Sequence, residues 1–253
     1  MKRSTKLMIA AACVLAVAAV TATAVWVGRT LQRRALVSAV YAPPPDGMVF
    51  VPPGAFLLGS EAPDAPEDEG PLRTAFLRGF YIDQYEVSHA QYKAFAPDHE
   101  IPPGKEQFPV TGLSLEEARA YAAGVGKRLP TADEWEKAAR GTDGRAYPWG
   151  NEYKEGYANL GGTDGLVAVG SFPRGVSPYG AHDMTGNAWE WVETPYIQKG
   201  PLGKALYTTE IIKGGAYSYA PFQGRAFHNG FEGIGGTCND VGFRCVKDAT
   251  PIE

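Results

Sequence analysis

The feature that most limits how this chain can fold lies after Gly141. From residue 142 onward no long segment carries a helical or strand period. Short apolar patches alternate with Gly, Pro, Asn and Asp. A compact domain that holds so much irregular backbone needs something to pin it: aromatic anchors, a bound ion or a disulfide. Anchors are plentiful, since the 253 residues include 5 Trp, 13 Tyr and 11 Phe alongside 31 Gly and 20 Pro. At 44% hydrophobic and 21% charged, the composition excludes a disordered chain and a polytopic membrane protein. The length fits one large domain or two small ones.

The N-terminus differs from the rest. Residues 1–6 form a basic tip. Leu7 to Val27 is a run of 21 residues without a charge, long enough as a helix to cross a bilayer. Lys2, Arg3 and Lys6 precede it; Arg29, Arg33 and Arg34 follow. We read residues 7–27 as an uncleaved signal anchor, single-pass in the cell membrane, with the main domain extracytoplasmic. Ala22-Thr23-Ala24 is the competing signal-peptide cleavage pattern, and either reading exports the domain. Residues 28–46 read as a basic, then Pro-rich tether, with Pro43-Pro44-Pro45 favouring an extended spacer.

Removing the six cations of residues 1–42 leaves 18 basic and 28 acidic side chains, a net −10, on residues 43–253. That field repels phosphate backbones, so no nucleic acid is expected as a partner. Cys238 and Cys245 are the only cysteines outside the apolar run. In an oxidising compartment they form either a disulfide or two buried thiols.

Met48–Val51 and Ala55–Gly59 read as strands, and Leu77–Tyr85 as a third. Between them, residues 60–71 (SEAPDAPEDEGP) read as an exposed acidic loop. Three capping boxes predict helices: Ser88 with Gln91, running to about Phe95; Ser114 with Glu117, ending near Gly124; and Thr131 with Glu134, stopping at Gly141. Their apolar stripes are sparse, so each must lie against something larger.

Five blocks, in order, are specific: Lys127 to Gly141 (KRLPTADEWEKAARG), Tyr147-Pro148-Trp149-Gly150-Asn151, Gly180 to Trp191 (GAHDMTGNAWEW), Lys213-Gly214-Gly215-Ala216-Tyr217 and Val241-Gly242-Phe243-Arg244-Cys245. Together they resemble the formylglycine-generating enzyme, or sulfatase-modifying factor, family. The resemblance spans residues 47–247, leaving 248–253 as a tail. It implies a C-type-lectin-like α+β fold with little regular secondary structure, here preceded by one N-terminal transmembrane helix.

The resemblance also sets expectations for the chemistry. Oxidising members hold copper on two cysteines between the Gly-Gly-Ser/Ala and Gly-Phe-Arg blocks, a soft metal on soft ligands. Residues 217–229 here contain no cysteine. No copper is expected, and the chain reads as a non-oxidase binding or accessory module, a pseudoenzyme without catalytic residues. The alternative is an enzyme of the same family with altered chemistry. A related iron branch needs several histidines; His89, His99, His182 and His228 show no such grouping in sequence. The family's calcium sites match in part. Asn159, Leu160, Asp164 and Leu166 offer side-chain and carbonyl oxygens for a structural calcium ion, and Asn187 with Glu190 offer a second set. The same residues equally fit an Asx turn and a set of buried backbone partners. Tyr219, Phe222, Arg225 and His228 fall along the groove where the enzymes hold a peptide, and would contact a protein or peptide partner.

Overall fold

The computed structural model describes residues 40–199, 205–232 and 239–252. The apolar run 7–27 and Cys238 therefore lie outside the described residues. Within a short terminal unit, Tyr41 and Pro251 form a bridge. Residues Pro44–Ala249 form the main compact unit.

The unit mixes sheet with few helices. β1 (Met48–Val51) turns through Pro52-Pro53 into β2 (Gly54–Leu58), and β3 (Arg73–Leu77) pairs with β2 alone. β4 (Phe80–Asp83) runs between β1 and the last strand, β9 (Val246–Asp248), antiparallel to both. The expected strand Leu77–Tyr85 is thus two elements broken at Arg78-Gly79. β4 does not alternate because all four of its residues are buried.

All three capping boxes close as the sequence predicts, giving α1 (His89–Phe95), α2 (Leu115–Gly124) and α3 (Ala132–Arg140). In each, the hydroxyl accepts from the third backbone N–H while the Gln or Glu accepts from the cap N–H, satisfying two orphan donors. Gly141 ends α3 at φ 76°, a conformation that suits glycine.

α3 is buried on every side except at Asp133. Trp135, Ala138 and Ala139 are fully buried and face Val51, Phe80 and Ile82 across one core cluster. Its charged side chains other than Asp133 are buried too, and each finds partners, as buried polar groups must. Lys137 Nζ donates to the Pro52 and Gly54 carbonyls at 2.8 and 3.1 Å. Arg140 bonds Glu136 at 2.8 Å and donates to the carbonyls of Gly59 and Arg145 at 2.8 and 2.7 Å. The helix is a polar post through the middle of the domain.

The chain after Gly141 holds more sheet than its sequence suggested. β5 (Trp189–Lys199) and β6 (Ala205–Lys213) form a long antiparallel pair, flanked by β7 (Gly230–Glu232) and by β8 (Val241–Gly242), which joins β5 in parallel. Register shifts between Trp191 and Pro195 and again at Gln198–Lys199 hide the alternation. Residues 142–188 remain irregular, as expected.

Candidate functional site

Two of the sequence-predicted residue sets converge on one buried network. Asn159 Nδ2 donates to Asn187 Oδ1 at 3.1 Å and to the Gly165 carbonyl at 2.9 Å. Asn187 Oδ1 also accepts from Val167 N at 3.0 Å. Asn187 itself sits at φ 64°, in the left-handed region where a non-glycine residue is uncommon but asparagine is tolerated. Gly186 before it has no room for a side chain, because a Cβ would lie 2.3 Å from the Asn159 carbonyl oxygen. That contact sets the two loops against each other.

Behind Asn187 lie three buried carboxyls and one guanidinium. Arg244 grips Glu190 through Nε and Nη2, each at 2.7 Å, and donates to the His182 carbonyl at 2.9 Å. Trp135 Nε1 takes Glu190 at 2.8 Å. Glu190 and Arg244 are both fully buried. Glu86 accepts from Asn187 Nδ2 at 3.1 Å. Burial, with Asp183 and Glu190 nearby, pushes the Glu86 carboxyl well above the usual range. Burial also raises Asp183, against a 2.6 Å bond from Gly170 N and the pull of Arg244. Arg244 bonds Glu190 and not Glu86, so Glu86, beside two other carboxyls, is the member of the set whose charge has the least support.

This geometry separates the residues named as calcium ligands. Glu190 gives both oxygens to protein donors, and Asn187 is engaged on both ends. The Leu160 carbonyl accepts from Tyr153 Oη at 3.2 Å, and Asn159 Oδ1 from Thr163 Oγ1 at 2.5 Å. Asp164 and Leu166, with Asn159, line an open cleft of about 810 Å³ that has His89, Lys105, Phe108, Thr111 and Tyr217 among its other walls. Among the described residues no group of three or more His, Cys, Asp or Glu side chains is disposed to hold a metal.

Three of the four residues expected along the groove, Tyr219, Phe222 and His228, come together in one row of ring contacts with Trp189. The Tyr219 ring meets Trp189 edge-on at 5.4 Å, His228 lies 6.1 Å from Trp189, and Phe222 meets His228 edge-on at 5.7 Å. Phe222 is exposed, while Trp189 is buried beneath. Arg225 is turned elsewhere, its guanidinium 5.8 Å from the Phe227 ring and paired with Asp64.

The acidic segment 60–71 is not the free loop its composition suggested. Its neck is closed by Ser60 N donating to the Glu69 carbonyl at 2.8 Å. Gly59 has no room for a side chain there, its Cβ position lying 2.7 Å from that oxygen. Three acids reach the groove segment: Asp64 pairs with Arg225 at 2.7 Å, Asp68 accepts from Asn229 Nδ2 at 3.0 Å, and Glu69, itself buried, bonds His228 Nδ1. The acids at 64, 68 and 69 were legible as charges, but their partners sit some 160 residues away. Sequence reasoning also missed a histidine pair: His89 Nδ1 lies 2.9 Å from His99 Nε2. α1 is only seven residues long, so the chain doubles back within ten positions.

Cys245 is fully buried beside Tyr121 and Phe243, and burial pushes its thiol well up. Cys238, the other half of the choice between a disulfide and two buried thiols, lies outside the described residues.

The family described as "Sulfatase-modifying factor enzyme 1-like domain" matches residues 33–249. The formylglycine-generating enzyme of Thermomonospora curvata is 32% identical, with 80% of this chain and 93% of that protein covered. The inactive C-alpha-formylglycine-generating enzyme 2 of Mus musculus is 29% identical over 80% of this chain and 86% of its own. Among solved structures, PvdO from Pseudomonas aeruginosa superposes with a TM-score of 0.67 at 24% identity, covering 79% of this chain and 94% of that one, which shows likeness of fold.

Proposed function

Because the chain belongs to the sulfatase-modifying factor enzyme 1-like family, we propose that it is a membrane-anchored, extracytoplasmic member of that family that binds a protein or peptide partner and does not oxidise cysteine. The observation that carries the reading is the stretch Tyr217 to Asn229. It contains no cysteine, and its side chains are committed to aromatic packing and to the acids of segment 60–71. Copper oxidation of a thiol needs a dithiolate to bind the metal, and hydroxyls with one imidazole do not replace it. Inactive relatives within the family support the same reading. The uncharged run 7–27 supports the anchor, and a C-type-lectin-like arrangement of loops over a small sheet suits display of a groove. The partner would meet Tyr219, Phe222, Arg225 and His228. Asp164 and Leu166 on the cleft wall, with the Asn159–Leu160 turn behind them, are where a structural calcium ion would be sought.

The test uses the full chain in detergent. It is incubated with a cysteine peptide of sulfatase type, copper, oxygen and a reductant, and the peptide is weighed by mass spectrometry. An unchanged thiol is expected. An aldehyde product that disappears in Cys238→Ser overturns the reading and establishes an altered enzyme. Partner capture from native membranes, lost in Phe222→Ala with Tyr219→Ala, supports the binding role. For the ion, chelation should lower the melting temperature, and calcium should restore it less well in Asp164→Ala, since an ion that binds only the folded state stabilises by mass action. A melting curve indifferent to chelator in both proteins removes calcium from the account.

A further inference from the structure

We propose that His89 and His99 form a proton-sensitive latch holding the segment 97–108, one wall of the 810 Å³ cleft, onto the N-terminus of α1. The inference stands apart from the groove reading above and uses none of its residues.

The two ring planes differ by 17°, with centroids 5.2 Å apart and the facing nitrogens 2.9 Å apart. The rings therefore lie edge to edge in nearly one plane, joined by a single N–H···N bond. A neutral imidazole offers one donor and one acceptor, so two neutral rings, or one neutral and one charged, can share that bond. When both are protonated, two N–H groups face each other, and the bond becomes a repulsion between like charges.

The surroundings give the second proton no support. On α1, Lys93 lowers His99 electrostatically, and its Nζ donates to the His99 carbonyl at 2.9 Å. Tyr92 meets His99 edge-on at 5.0 Å, and burial with Glu117 of α2 nearby raises its phenol, which stays neutral. On the segment itself, Asp98, Glu100, Lys105 and Glu106 are exposed. Solvent screens their charges. Burial lowers both imidazoles, and His99 lowers His89 further. With folded values below the unfolded one, the folded state binds fewer protons near pH 6. The latch's contribution is present above about 6.5, the ordinary imidazole value, and is lost as pH falls.

The same segment docks on α1 through two backbone bonds, His89 N to the Phe108 carbonyl at 3.0 Å and Ala90 N to the Glu106 carbonyl at 2.9 Å. Those amides report the latch directly. Hydrogen exchange of His89 and Ala90 in the full chain is measured at pH 7.5 and 5.0, corrected for intrinsic rates. We expect protection to fall on the order of tenfold at pH 5.0 in the parent. His99→Gln keeps a neutral partner that accepts from either form of His89, so its protection should not change with pH. His99→Phe removes the bond, so exchange should be fast at both pH values. Cooperative melting of each variant at pH 7.5 confirms folding. Equal parental protection at the two pH values overturns the proposal. So does a His99→Gln protein that follows the parent's pH profile, or a His99→Phe protein as protected as the parent at pH 7.5.

Discussion

Replacing Arg244 with Met should be among the most damaging single changes available to this domain. The guanidinium is fully buried and holds Glu190 through two bonds of 2.7 Å, with the His182, Asp83 and Gln84 carbonyls as further acceptors. Removing it leaves Glu190 in the core with one neutral donor, the Trp135 indole. Breaking a buried pair from one side costs about 3–5 kcal/mol. For a unit of this size that is roughly 2–4 °C of melting temperature per kcal/mol, or a fall on the order of 6–20 °C. The assay is thermal and urea melting of the parent, Arg244→Met, Glu190→Gln and the double variant. Because each partner's loss strands the other, the double variant should cost clearly less than the sum of the singles. Additive losses, or a single Arg244→Met loss below about 1 kcal/mol, would refute the claim that the two side chains are stable only as a pair.

Other outcomes follow from the same kind of accounting. Burial over Phe56 draws the Lys137 ammonium down to about 8, so between there and the unfolded value the unfolded chain binds more protons; the stability of the parent relative to Lys137→Met should therefore rise from pH 7.5 to 10, as read by urea midpoints, and a flat difference would contradict it. Ser114→Ala opens the capping box of α2 and should cost about 1 kcal/mol in the same melts, with the α3 side of the domain unaffected. Asp64→Ala removes an exposed ion pair and should change stability by less than about 1 kcal/mol, whereas Glu69→Ala, at a buried bond to His228, should cost more and should loosen the groove as judged by hydrogen exchange of residues 225–229.

What was legible in the sequence was whatever is decided within four residues. The three capping boxes are local chemistry, and all three helices begin where Ser88, Ser114 and Thr131 place them. The family blocks singled out Tyr219, Phe222 and His228, which share one row of ring contacts with Trp189. Long-range pairings were opaque. β5 carries Pro195 and two register shifts, so its alternation is broken, and a strand of eleven residues passed for irregular chain. Segment 60–71 looked like solvated charge because nothing nearby in sequence announces Arg225, His228 or Asn229. Glu190 was read as a possible ion ligand from the family resemblance; in the structure both its oxygens are held by Arg244, 54 positions away. The sparse stripe of α3 showed that it must lie against something larger, but not that carbonyls at Pro52, Gly54, Gly59 and Arg145 would accept the hydrogen bonds of its charged side chains.

β8, Arg244 and β9 lie within eight residues, yet they finish two different sheets. β8 borders β5, β9 closes the free side of β4, and Arg244 between them neutralises Glu190. Neither sheet is complete before this short stretch arrives. A chain cut at residue 240 would keep all three helices and most of the aromatic residues. It would still have an open strand edge and a stranded charge at its centre. The stretch 241–248 is thus a keystone: eight residues supply one strand to each of two sheets and, between them, the cation that the buried Glu190 needs.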